Sequence, residues 1–182
     1  MTTPYAEDFG QIAAALAENH DLREAVDTLA ADEPMPGKVT EGGERLATFR
    51  RILRDLVSGH IDLREAYRRT EEELPREDSP YAHDNRVFPH DWGERLVRTQ
   101  LSRCYNQAVM EELLAAGETT CHVPRSQAES IESRCSQELA GGNYDLQVLY
   151  DRLIQSYRDG QWSGEVKIPN HPHCTHTVTP QR

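Results

Sequence analysis

LVRTQLSRCYNQAVMEELLAAG, residues 96–117, decides how the rest of the chain is read. Leu96, Val97, Leu101, Cys104, Tyr105, Ala108 and Leu113 recur at helical intervals and define one inner face. Asp91 stands where an N-cap belongs, and Glu94 completes a capping box three residues on. Gly117 supplies the stop. The spacing predicts the longest helix of the chain here, and the remaining elements must be arranged around it.

Upstream the pattern is helical throughout. Residues 6–31 carry Ile12, Leu16, Leu22, Val26 and Leu29 among alanines, with Asp21 and Glu24 placed to start a second helix inside the stretch, so one helix or two stays open. Prolines and glycines punctuate residues 32–43. A helix over 44–57 follows, striped by Leu46, Phe49, Leu53 and Leu56 and stopped by Gly59. Asp62 and Glu65 open another, with Leu63, Tyr67 and Leu74 on one face, and Pro75 closes it. The loop at 75–91 divides a helical N-terminal region, 1–80, from a second region, 85–182.

Downstream of Gly117 the character changes. TTCHVP reads as a short strand, AESIESRCSQELAGG as a helical segment running into a glycine turn, and YDLQVLYDRLIQSYR as an amphipathic helix. GEVKIP and THTVTP are further strand candidates. The fold class expected is α+β: N-terminal helices, a long helix, then a small C-terminal sheet.

Composition narrows the function. The chain has 182 residues, 37% of them hydrophobic and 28% charged, with a net charge of -11. Its core should be lean, so a metal cross-link would be useful to it. Of 20 basic residues only Lys38 and Lys167 are lysine. This Lys-poor, acid-rich balance fits a high-GC, halophilic source. It argues against broad, charge-driven binding to nucleic acid, although a local arginine patch can still meet phosphate. The start, MTTPYAEDFG, lacks the basic and apolar regions of a signal peptide, and no stretch has the length of a membrane span. Four cysteines at irregular spacing do not form a secretory disulfide framework. A cytoplasm-like compartment is expected, with the thiols serving as core residues or metal ligands.

The metal-like cluster lies in IPNHPHCTHTVTP, residues 168–180. Zinc takes four Cys and His ligands, commonly as two close pairs. On an extended segment Cys174 and His176 point the same way, whereas His171 is out of phase unless Pro169 and Pro172 bend the chain. Cys121 and His122 are adjacent, so they face opposite sides of a strand. The ligand set read from spacing is Cys135, Cys174 and His176, plus one of His171 or Cys121. The competing reading makes Cys135 a core residue and leaves the tail histidines in solvent. Cys104 sits on an apolar face and reads as packing. Arg98 and Asn106 either anchor the long helix to the sheet or face water. His83 and His90 read as surface, and EEELPRED as a solvated face. The sequence holds no phosphate-cradling glycine loop, nucleophile elbow or HExxH, so an enzyme is not expected.

Three stretches occur in a suggestive order: the helix with Arg98-Thr99 and Tyr105-Asn106, then RCSQELAGGNYDL at 134–146, then IPNHPHCTHTVTP with Pro172 before His173-Cys174. Together they resemble the phage Mu F-like family of head morphogenesis, or minor capsid, proteins, over roughly residues 90–180. Gln100, His173 and Thr175 depart from the family pattern, and a second cysteine after Cys135 is absent. The resemblance implies a virion structural role in virus assembly, as a minor head protein carried by a phage or prophage. Its partners would be portal and capsid proteins, with packaged DNA touched through a local patch and no membrane. Its location would be the virion, and the host cytoplasm during assembly. It also implies that the Cys/His motif is a fold staple. The alternatives are a toxin-type enzyme linked to a Mu F-like domain, or a free-standing zinc-stabilised interaction module.

Overall fold

The structure, a computed structural model, describes residues 5–181. Helix α1 (Ile12–Glu18) and helix α2 (His20–Asp32) resolve the open question at the N-terminus in favour of two helices. The break falls at Asn19, whose side chain caps α2 by accepting from Leu22 N at 3.1 Å; Asp21 lies one residue inside the helix. Helix α3 (Arg45–Val57) buries Phe49, Ile52, Leu53 and Leu56. Asp62 caps helix α4 (Leu63–Glu73) by accepting from Glu65 N at 2.9 Å, as its sequence position predicts.

Helix α5 (Trp92–Ala115) is the long helix, and Gly117 follows it at φ 84°, the left-handed conformation that glycine adopts without a steric penalty. Its burial differs from a single inner face. Every residue from Gln100 to Met110 is buried, because α2, α4 and helix α7 (Leu146–Tyr157) all pack against it. The polar residues caught there must therefore be paired. Arg103, fully enclosed, donates to Pro34 O at 3.0 Å, Gln107 Oε1 at 3.0 Å and Glu33 Oε2 at 3.1 Å. One continuous hydrophobic cluster runs from Ala6 to Val178 and includes residues on both sides of the 75–91 loop.

Among the described residues the sheet has three strands: β1 (Thr120–Val123), β2 (Gly142–Asp145) and β3 (Thr179–Pro180), in the order β2-β1-β3 and antiparallel throughout. The chain is thus α+β and mostly helical, with the sheet built from its C-terminal part. Three local expectations are corrected. Residues 124–133 form a loop, and helix α6 occupies only Arg134–Leu139. The glycine turn leads directly into β2, whose first residue, Gly142, pairs with Val123. GEVKIP is irregular, and only the last two residues of THTVTP join the sheet.

The tail is not a solvated appendage. Cys174 to Thr179 are all buried. Phe9 N donates to Thr175 O at 2.8 Å, Thr177 Oγ1 donates to Ala6 O at 2.8 Å, and Val178 N donates to Asn106 Oδ1 at 2.8 Å. Both ends of the described chain therefore meet against the middle of α5.

Candidate metal centre

Loop, helix and tail converge on one point. The N-terminus of α6, capped by Ser133 accepting from Ser136 N, presents Cys135 inward. The tail turns at His171–Cys174, where Cys174 N donates to His171 O at 3.0 Å. That turn removes the phase problem of an extended segment and puts His171 and Cys174 on one side. The loop at 124–133 contributes Glu129, whose side chain is only 7% exposed.

Ligand atoms of Glu129, Cys135, His171 and Cys174 all lie within 4.8 Å of one another. Cys135 Sγ is 3.9 Å from Cys174 Sγ and 3.6 Å from His171 Nε2. His171 Nε2 is 3.5 Å from Glu129 Oε1. The two thiols are free, and their separation is far beyond a disulfide bond of ~2.05 Å. Two buried sulfurs, a half-buried imidazole and a largely enclosed carboxylate, drawn from three segments, form a candidate metal-binding cluster by donor type and spacing. The described residues hold one other candidate group, His20, Asp21 and Glu24, but all three are exposed on the first turn of α2.

The electrostatics prepare a ligand. The Cys135 thiol is pulled far below the usual thiol range, foremost by its hydrogen bond with Cys174, against an opposing effect of burial, and with help from His171, His176 and Ser133. The Cys174 thiol is pushed up by that same contact and then by burial. His171 is shifted upward, chiefly by Cys135. A thiolate is the form that ligates.

Of the residues singled out from the sequence, Cys135, Cys174 and His171 come together, and two lie outside the group. Cys121 points inward from β1, its Sγ 3.8 Å from Tyr144 O, because the strand register turns it toward the core and away from the centre; His122 faces the other side and meets Asn143. Burial pushes the Cys121 thiol up to about 12, which disfavours the ligating form. His176 is fully buried next to the centre, but its ring nitrogens are engaged at 2.9 Å by Ser136 Oγ and at 3.3 Å by Pro124 O. It buttresses the cap of α6, a supporting position of the kind that fixes ligand orientation.

Among the motif residues, Asn106 ties α5 to the tail, donating to Ser102 O at 2.8 Å while accepting from Val178 N. Arg98 does not reach the sheet; its guanidinium lies over the Phe9 ring at 4.3 Å, with Glu94 at 3.9 Å. Thr99 and Pro172 line one shallow hollow beside Trp92 and Leu96. Burial pushes the Cys104 thiol up to about 11, consistent with a core residue.

Sequence reading missed two participants. Glu129 was invisible because acids are abundant in this chain and nothing local marks it; the only signal is its place six residues before Cys135. Asp91 gives α5 no side-chain cap, and its Oδ2 instead meets His173 Nε2 at 2.8 Å, so it holds the tail turn. No family model, curated protein or solved structure matches the chain.

Proposed function

We propose that this chain is a zinc-stapled structural protein of virion assembly, a minor head protein of the class that its C-terminal half resembles. The observation that carries the staple is the set of donor separations. A tetrahedron around zinc with ordinary bond lengths has edges of ~3.8 Å between two sulfurs, ~3.6 Å between sulfur and nitrogen, and ~3.4 Å between nitrogen and oxygen. The corresponding distances here are 3.9, 3.6 and 3.5 Å. Four protein donors complete the coordination sphere and leave no position for a substrate or an activated water, which is the pattern of a structural site.

Support for the assembly role comes from where the resemblance falls. The stretches RCSQELAGGNYDL and IPNHPHCTHTVTP, which carry it, are the ones that contribute Cys135, His171 and Cys174. Asn106, from the helix that opens the resemblance, fixes the tail that bears the ligands. Portal and capsid proteins are the partners this reading calls for, and the virion is the location. Mass spectrometry of purified particles from the source virus or induced prophage tests it: the chain should be present at a low, fixed copy number. Its absence from particles and from assembly intermediates overturns the role. Metal analysis of chain purified without chelator tests the staple separately, with about one zinc per chain as the expected result.

A further inference from the structure

A cleft of about 450 Å³ opens between α1, the end of α3 and the start of α4, on the side of the molecule built by the N-terminal helices. Its floor is apolar, formed by Ile12, Leu16, Leu56, Val57 and Leu101, all of them buried. Small residues keep it open. Ala13 and Ala17 are exposed and one turn apart on α1, and a Cβ added at Gly59 would meet no atom within 4 Å. A concave, mostly apolar space of this size falls in the range of small-molecule sites, roughly 300–1,000 Å³.

The charges in the lining are uneven. Arg23 and Arg64 both line the cleft, and among the described residues neither has an ion-pair or hydrogen-bond partner. In a chain of net charge -11 an arginine has many acids to choose from. The nearest in sequence are taken: Glu24 lies 3.7 Å from His20, Asp27 accepts from Arg54 at 2.9 Å, and Glu65 accepts from Arg68 at 2.9 Å. Asp62, the acid in the lining, is held as the cap of α4. Arg23 also borders the neighbouring groove between α2 and α3, where these same pairings leave it no carboxylate from Glu24 or Asp27. It is half-buried, so the missing partner costs it more than it costs the exposed Arg64.

We infer that this cleft binds a free fatty acid, with the acyl chain on the apolar floor and the carboxylate on Arg23, Arg64 standing at the rim. Arginine matches a carboxylate with two parallel hydrogen bonds, and partial burial strengthens them. An acidic macromolecule would be repelled by the chain as a whole, whereas a ligand with one charge meets chiefly the local arginines. The site shares no residue with the metal centre and stands or falls separately from it.

The test is isothermal titration calorimetry of the full chain with hexanoate, octanoate and decanoate, each below its micelle concentration, and with decylammonium as the control. One carboxylate per chain should bind, with affinity rising about two- to fourfold per added methylene. Decylammonium should bind about tenfold more weakly than decanoate, although the net charge of the chain favours it. Ala17→Phe, at an exposed position, should fill the cleft and abolish saturable binding. Arg23→Met should weaken decanoate about tenfold, the loss expected for a charge-assisted hydrogen bond. If that variant does not fold, the exposed Arg64→Met decides, with an expected loss of about threefold. No saturable binding, affinity indifferent to tail length, decylammonium bound as tightly as decanoate, or wild-type affinity in the deciding arginine variant overturns the site. Sedimentation of the free chain covers the other occupant: a dimer that Ala17→Phe returns to monomer would give the cleft to a second copy and overturn the ligand.

Discussion

Replacing Glu129 with glutamine separates a metal ligand from a hydrogen-bonding group. The carboxylate accepts from Thr175 N at 3.0 Å and lies 3.5 Å from His171 Nε2. Glutamine preserves the shape and an oxygen for Thr175 N, but removes the anionic donor. If zinc uses this oxygen, affinity should fall by ~100-fold, the upper end of what even a supporting group contributes to a metal site. With free zinc buffered at ~1,000 times the native dissociation constant, the wild-type fold gains ~4.1 kcal/mol from the metal, and the variant, at ~10 times its own constant, gains ~1.4 kcal/mol. The difference, ~2.7 kcal/mol, corresponds to a Tm lower by ~5–11 °C for a chain of this size. In EDTA the order should level or reverse, because the variant no longer buries a carboxylate in the part-buried cluster without a metal to neutralise it. Thermal melts in zinc buffer and in EDTA measure all four values. An equal deficit in both buffers would show that Glu129 acts through packing alone, and a wild-type Tm indifferent to zinc would refute the staple.

Other perturbations test the scaffold around the centre. Asn106→Ala should cost ~1–3 kcal/mol, because Val178 N–H is left buried without its acceptor; urea unfolding should show a lower midpoint at unchanged slope. Glu33→Ala should cost ~3 kcal/mol, the low end for breaking a buried ion pair, since Arg103 keeps Pro34 O and Gln107; pairing it with Arg103→Met should recover most of the loss in the same assay. The Glu73 carboxyl is held below the usual range, first by its hydrogen bond from Arg69, so its contribution is present above about pH 4.5 and is lost as pH falls through the depressed folded value. The stability gap between wild type and Glu73→Gln should accordingly close on acidification, as followed by denaturant midpoints from pH 7 to pH 3.

The helices were legible because their start and stop signals are local. Asp62 with Glu65 caps α4, and glycines 59 and 117 follow α3 and α5 in the left-handed conformation, as their positions in the sequence suggest. Burial around α5 was not legible: helical periodicity reports one apolar face, whereas Arg103 and Asn106 are buried with partners distant in sequence. The same limit governs the centre. Alternation along an extended tail favoured His176, and the turn at His171–Cys174 replaced it with His171, because a hydrogen-bonded turn changes which residues share a side. Glu129 depends wholly on tertiary folding, since its loop has no regular structure to give it a direction.

The way the tail is held shows what a cross-link there would add. A buried extended segment must satisfy each backbone N–H separately unless a sheet does so. Here the sheet takes only Thr179 and Pro180, so Glu129 serves Thr175, Asn106 serves Val178, and the His171 carbonyl serves Cys174. Each of these bonds fixes one residue, without the cooperative gain of a ladder, and together they must offset the entropy lost on ordering the segment. A link between Cys135 and Cys174 closes a loop of 39 residues, which on the chain-entropy account of a covalent bridge is worth ~4 kcal/mol. A metal bound by both thiols restricts the unfolded chain in the same sense, provided that it stays bound there. That restriction also reaches the N-terminal segment, because Phe9 and Ala6 hydrogen-bond to the tail at Thr175 and Thr177. The tail and the segment around Ala6 and Phe9 thus pack as one unit against α5, and an ion held by the proposed ligands would tie α6 into it.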